Sequence, residues 1–180
     1  MMNVQEDLRF ICAIVDANLR YAESKHAYFV AFNGVALFGG FGVLRTLSTG
    51  AGGGIQIVLL ITMLLLIAAI ITCIYSFLPV IVKKTEARNK SDLCGNALFF
   101  EHIKEHSVDS YISLLCDKYQ ARQDDIKPLD RCIISQIIVN ARLASRKFVI
   151  FRLAAIFDLF AVVLGPGGYI LITLFYQPYA

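Results

Sequence analysis

From Thr46 to Val82 the chain carries no charged side chain. A helix needs roughly 20 consecutive apolar residues to cross the ~30 Å hydrocarbon core of a bilayer, and Ile55 to Leu78 meets that requirement unaided. Two further runs point the same way: Ala27 to Leu44, glycine-rich and marked by Asn33, and Leu153 to Tyr176, which holds Asp158 and the turn-like sequence Gly165, Pro166, Gly167, Gly168. The fold class expected is an all-α membrane protein with three transmembrane helices and a small cytosolic helical domain. Its 180 residues are 57% hydrophobic and 17% charged, against about 25% charged in soluble domains. No second large domain is expected within these residues.

The expected organisation is a cytosolic amphipathic helix over 1–26, a transmembrane helix over 27–47, an external loop over 48–54 and a second transmembrane helix over 55–78. A cytosolic helical region over 79–152 and a transmembrane or kinked membrane helix over 153–176 follow. Met1 to His26 is polar where a secretory signal would be apolar, so the first span is expected to stay in the mature protein. Arg9, Arg20, Lys25 and every basic residue from Lys83 to Arg152 flank the same side of the spans, and only Arg45 lies on the other. The positive-inside rule therefore places the N-terminus in the cytosol. A net charge of +3 is too small and dispersed to argue for nucleic acid. Five scattered cysteines without a CxxC pair encode neither a disulfide framework nor a zinc ribbon.

Leu8, Ile11, Cys12, Val15, Leu19 and Ala22 recur at helical spacing and lead into the first span without a break. After the charged segment Lys83 to Asp92, Asn96 to His106 reads as a short helix burying Leu98, Phe99 and Ile103. Ser107 offers an N-cap to a helix running to about Arg122. The last cytosolic helix starts near Pro128, and its stripe Ile134, Ile137, Ile138, Ala141, Ala144, Ser145 and Phe148 continues into the third span. Leu153 to Leu164 alone is too short to cross. A span kinked at Pro166 is preferred to a re-entrant turn.

Several polar residues interrupt this pattern. Asn18 and Lys25 share a face with Ile11, and Arg152 falls on the stripe of Ala141, Ser145, Phe148 and Ala155. Two readings stand: the cations snorkel to lipid phosphates and fix topology, or they face a cytosolic pocket and bind a small anion. Arg142, Arg146 and Lys147 would add donors to such a pocket, although they do not share one face. Asp158 must be protonated, partnered by another helix or subunit, or wetted. Asn33, Ala36, Gly39 and Gly40 form a small face suited to close helix packing or a homo-oligomeric contact.

His102, Glu105 and His106 spell HxxEH, the inverted zinc-protease pattern. Three fixed letters are weak, no third ligand is marked, and Ser107 breaks the helix directly afterwards. The expectation is a surface of the short helix, with no catalytic residue, metal or cofactor; the zinc peptidase is kept as a minor alternative.

Asn18 to Gly34 (NLRYAESKHAYFVAFNG), Ala97 to Ile103 (ALFFEHI) with the following Tyr111 segment, and Gln136 to Ala154 (QIIVNARLASRKFVIFRLA) resemble, in order, the signature blocks of the transmembrane-type Pycsar effectors. These are small membrane effectors of bacterial antiphage systems. The resemblance covers nearly the whole chain, and Asn18, Arg20, Lys25, Asn33, Arg142 and Lys147 match its motif positions. The Gly165 to Gly168 interruption and Asp158 lie outside it. It implies an effector in the bacterial inner membrane that responds to cyclic CMP or cyclic UMP from an adjacent pyrimidine cyclase; a multi-pass homo-oligomer is expected from the spans and the small face of the first one. The infected cell would then die by membrane impairment, as abortive infection. On this reading Asn18, Lys25, Arg142, Arg146, Lys147 and Arg152 contact the nucleotide phosphate, while Asn33, Gly39, Gly40 and Asp158 serve membrane function or the oligomer. The competing class is a membrane scaffold that recruits a cytosolic partner.

Overall fold

The structure, a computed structural model, describes residues 4–47, 53–78, 96–119 and 126–175. Five helices account for it: α1 (Val4–Leu47), α2 (Gly53–Phe77), α3 (Phe100–Ile103), α4 (Val108–Tyr119) and α5 (Pro128–Phe175). Among the described residues there is no strand. Three helices, α1, α2 and α5, are long and apolar enough to cross a membrane. The Lys83 to Asp92 segment, Cys94, the expected helix end at Arg122 and most of the 48–54 loop lie outside the described residues.

The chain divides into two units. One is polar, Met1–Glu23 with Pro79–Phe148; the other, the membrane unit, is Ser24–Leu78 with Val149–Ala180. Both α1 and α5 contribute to each without a break in the helix.

The polar unit is built on the stripes read from sequence. Leu8, Ile11 and Val15 of α1 and Ile134, Ile137, Ile138 and Ala141 of α5 are buried together with Tyr111, Ile112, Leu114 and Leu115 of α4. At the head of α4 the Ser107 hydroxyl accepts from the Ser110 N–H at 3.1 Å, the cap expected there. At the head of α5, Pro128 occupies the first turn and the Asp130 carboxylate reaches back to the Lys127 N–H at 2.9 Å. This is the reciprocal half of a capping box.

One expected helix is much shorter than its sequence pattern. Asn96 to His106 contains only the four-residue α3, with turns on either side. The Asn96 side chain takes the Leu98 N–H at 2.9 Å, and the Asn96 N–H donates to His102 Nδ1 at 2.8 Å. Local side-chain bonds of this kind compete with helix formation. Consequently Phe99 is 45% exposed, while Ala97 joins Ile103 in the core. Tyr111, fully buried, ties the segment down by donating its hydroxyl to the Ala97 carbonyl at 2.6 Å.

In the membrane unit α5 continues as helix through Pro166 to Phe175, with no turn at Gly165 to Gly168. The glycines beside Pro166 have a packing use. A Cβ at Gly165 would lie 3.0 Å from Thr62 Cγ2 and one at Gly168 only 2.8 Å from Val58 Cγ1, whereas one at Gly167 would meet nothing within 4 Å. Val58 is stiff at χ1 and Thr62 is held by its hydroxyl bond to the Val58 carbonyl at 2.9 Å. Gly168→Ala is therefore expected to destabilise the unit by about 1–3 kcal/mol through overpacking, with Gly167→Ala near neutral. Unfolding by denaturing detergent checks the pair.

Candidate ligand-sensing residues and membrane core

Within the polar unit, α1 and α5 are bridged by polar side chains at one repeating register. Asn140 Nδ2 donates to Asp16 Oδ1 at 2.6 Å, and Lys147 Nζ to Glu23 Oε1 at 2.6 Å; partners in both bonds stand 124 residues apart. Gln136 steadies Asn140 from one turn earlier at 2.9 Å. The Lys147 side chain is only 14% exposed and Glu23 46%, so the cation is the enclosed member and the carboxylate the displaceable one.

Arg142 is turned to a different task. Its Nε donates to the Lys104 carbonyl at 2.9 Å and its guanidinium to the His106 carbonyl at 3.3 Å, satisfying acceptors left open where α3 ends. Lys104 Nζ in turn donates to Ser145 Oγ at 2.9 Å and pairs with Glu101. Burial pushes the Glu101 carboxyl up, but the bonds from Lys104 and Ser145 and the Lys104 charge outweigh it and hold the group below its ordinary value. Asn18 Nδ2 donates to the Ile14 carbonyl one turn back at 3.0 Å. Arg146 is half-buried.

His106 is not set on one helical face with His102, as a zinc-binding HxxEH requires, because α3 stops at Ile103. Its Nδ1 is bonded to Ser110 Oγ at 2.9 Å. Among the described residues no group of three or more His, Cys, Asp or Glu could hold a metal ion. Burial depresses the His106 pKa, against the pull of the Glu105 carboxylate and with help from His102. The folded state thus binds this proton less readily than the unfolded chain. Stability from this group is complete above about pH 6.5, the ordinary value, and declines as pH falls through the lower folded value. Thermal unfolding between pH 7 and 5 should show that decline, and His106→Gln should flatten it.

Among the candidates in the membrane unit, Lys25 Nζ sits 5.6 Å from the centroid of the Phe151 ring, within cation–π range. Arg152 is exposed, contrary to its expected place on the buried stripe. The buried positions of α5 in this unit are Ala154 and Ala161, which lie roughly 140–160° round the helix from Ala141 at about 100° per residue, so the face that carries Arg152 is not the one buried here. Gly40 lies against Met63 of α2, but Gly39 faces open space, so the expected small face packs within one chain at Asn33 and Gly40 and not at Gly39. Asn33 is 0% exposed and neither of its amide atoms has a hydrogen-bond partner; Asp158 Oδ1 is likewise buried and unbonded.

Sequence reasoning missed Glu23, Asp16, Asn140 and Lys104. Their contacts join distant parts of the chain, so spacing along one helix gave no signal. The close approach at Gly165 and Gly168 was signalled by glycine content, but the sequence there reads equally well as a turn.

Three helices able to span a bilayer, joined to a helical polar unit, define a multipass helical membrane protein. A family model described as the Pycsar effector protein domain matches residues 7–176. The chain belongs to that family of antiphage effectors. No curated protein and no solved structure matches it.

Proposed function

We propose that this effector senses a cyclic pyrimidine mononucleotide, cyclic CMP or cyclic UMP, made by a partner cyclase, and responds by impairing the bacterial inner membrane to abort infection. It is not an enzyme on this reading, and its N-terminus is cytosolic. The carrying observation is that α1 and α5, which supply the candidate phosphate donors, also supply membrane-spanning segments as the same unbroken helices. A ligand that prefers one arrangement of these helices can shift their equilibrium by its differential affinity.

The family match supports a cyclic nucleotide signal from a cyclase in general; lysine and arginine on two helices suit a singly charged phosphate. Membrane potential in cells expressing the chain is the test. Depolarisation is expected only with a pyrimidine cyclase or added cyclic CMP or cyclic UMP, whereas a scaffold would leave the potential unchanged in every case. Lys25→Gln and Arg152→Gln should each raise the nucleotide needed by a few-fold up to about tenfold, since exposed ion pairs are worth roughly 0–1 kcal/mol and enclosed ones more. An unmoved dose response in both would assign these two cations to lipid anchoring alone.

A further inference from the structure

In the membrane unit Asn33 and Asp158, both with buried polar atoms that lack a hydrogen-bond partner, fall at one level; Ser76, whose hydroxyl is also unbonded, adjoins Phe77 on α2, away from that level. The rings of His26 and Phe151 touch, with centroids 5.4 Å apart, and His26 also meets Phe77 of α2 at 6.0 Å. At the other end Val43 of α1, Ile55 and Val58 of α2, and Gly165 and Tyr169 of α5 line one apolar cleft of about 230 Å³. These contacts fix α1 and α5 as parallel and α2 as antiparallel to both. Asn33 and Asp158 each lie about two turns, roughly 10 Å, beyond His26 and Phe151 on their helices. They therefore share one layer between the two sets of contacts. On α2 this layer is met by Ala69 and Cys73, both 0% exposed, and Cys73 is within electrostatic reach of Asp158.

Asn33 is fully enclosed by its own chain, with neither donor nor acceptor used. An unsatisfied amide inside hydrocarbon costs several kcal/mol, and apolar residues surround this position in the sequence. Tight packing alone would be better served by alanine or leucine. A membrane carboxyl at the same depth with an unbonded oxygen adds a second acceptor, and one that carries negative charge when ionised. Lipid does not supply the missing partners. Water and a cation would.

We infer that Asn33 and Asp158 form a polar step through the membrane unit that takes up a small hydrated cation, a proton with its water or a monovalent metal ion. The inference rests on the membrane-impairing reading above and makes the lesion a cation path in place of general disruption. Asp158 gives the step its sign, because a carboxylate attracts cations and repels anions. Asn33 supplies a neutral donor and acceptor to the accompanying water. Of the titratable groups around Asp158 among the described residues, Cys73 on α2 lies in its layer; Lys25 and His26 on α1 lie about two turns away.

The test is ion flux through the full chain in phosphatidylcholine vesicles, with cyclic CMP and with cyclic UMP. Proton and potassium flux should exceed chloride flux, and a trapped anionic dye should stay inside. Asp158→Asn and Asn33→Leu should each slow cation flux at least tenfold with nucleotide binding unchanged by calorimetry, and Asp158→Glu should restore it. Equal passage of potassium, chloride and dye, or full flux in Asp158→Asn, would overturn the step and leave the membrane-impairing reading standing. Should wild type pass nothing with either nucleotide, that reading fails and a nucleotide-free measurement decides the step. Dicyclohexylcarbodiimide, which attacks protonated carboxyls in apolar surroundings, should modify Asp158 to an extent that falls as pH rises. Modification that is absent or independent of pH would show a carboxyl out of exchange with water and refute the step.

Discussion

Tyr111→Ala is expected to unfold the polar unit while leaving the chain in the membrane. The Tyr111 side chain is fully buried in a core shared by α1, α4 and α5, and its hydroxyl is the donor to the Ala97 carbonyl. Truncating a buried aromatic costs about 3–5 kcal/mol through lost transfer energy and the cavity left behind. A whole small domain is commonly stable by only ~5–15 kcal/mol, so most of the margin is removed. Tyr111→Phe should cost less, about 1–3 kcal/mol for an unsatisfied carbonyl. Limited proteolysis of membranes would show the difference: rapid cleavage within 96–148 for alanine, slower cleavage for phenylalanine, and intact spans in both. If the polar unit carries the sensor, Tyr111→Ala should also abolish nucleotide-dependent depolarisation.

Lys147→Gln and Glu23→Gln are expected to move nucleotide sensitivity in opposite directions. Lys147 is enclosed and Glu23 is the more exposed partner, so an incoming phosphate would replace the carboxylate at the same ammonium. A charge-assisted hydrogen bond from an enclosed donor contributes about 1.5–3 kcal/mol, which is roughly tenfold or more in affinity. Lys147→Gln should therefore raise the dose needed for depolarisation by at least about tenfold. Glu23→Gln removes the competitor and its roughly 0–1 kcal/mol of pairing, lowering the dose by up to about fivefold. Two shifts in the same direction would make the pair purely structural and move the sensor elsewhere in the polar unit.

Legibility differed between the fold and the candidate site for physical reasons. Chain-local rules were enough for the spans, the stripe from Ile134 to Ala144, the Ser107 cap and the start at Pro128, because each depends on periodicity or on a neighbour within one turn. Those rules overextended α3, where Asn96 and His102 bond across the segment and hold it in turns. For the site, sequence could show that Lys147 and Arg142 break an apolar pattern but not what they meet. Lys147 meets Glu23 and Arg142 two backbone carbonyls, and both sets of partners come from other helices or loops. Arg152 keeps to the face of Ala141 by the helical count, but the face of α5 buried in the membrane unit is that of Ala154 and Ala161, and periodicity along one helix does not signal such a change. Asn33 and Asp158 stood out as polar in apolar runs, yet their common depth emerged only from ring contacts between helices.

Because Asp16 meets Asn140 and Glu23 meets Lys147 at one offset, α1 and α5 are coupled like two combs with matching teeth. Sliding either helix along the other by one residue would misalign both pairs at once, and a slide of a full turn, about 5.4 Å, would set Asp16 against Gln136 or Ala144 and Glu23 against Leu143 or Phe151, so neither pair re-forms there. Small displacements are therefore resisted in common and larger ones release both pairs in common, as in a latch with a single seat. A graded ligand concentration acting on such a coupling would yield a response stepped at the level of the single molecule, with intermediate doses changing how many copies have slipped and not how far each has moved.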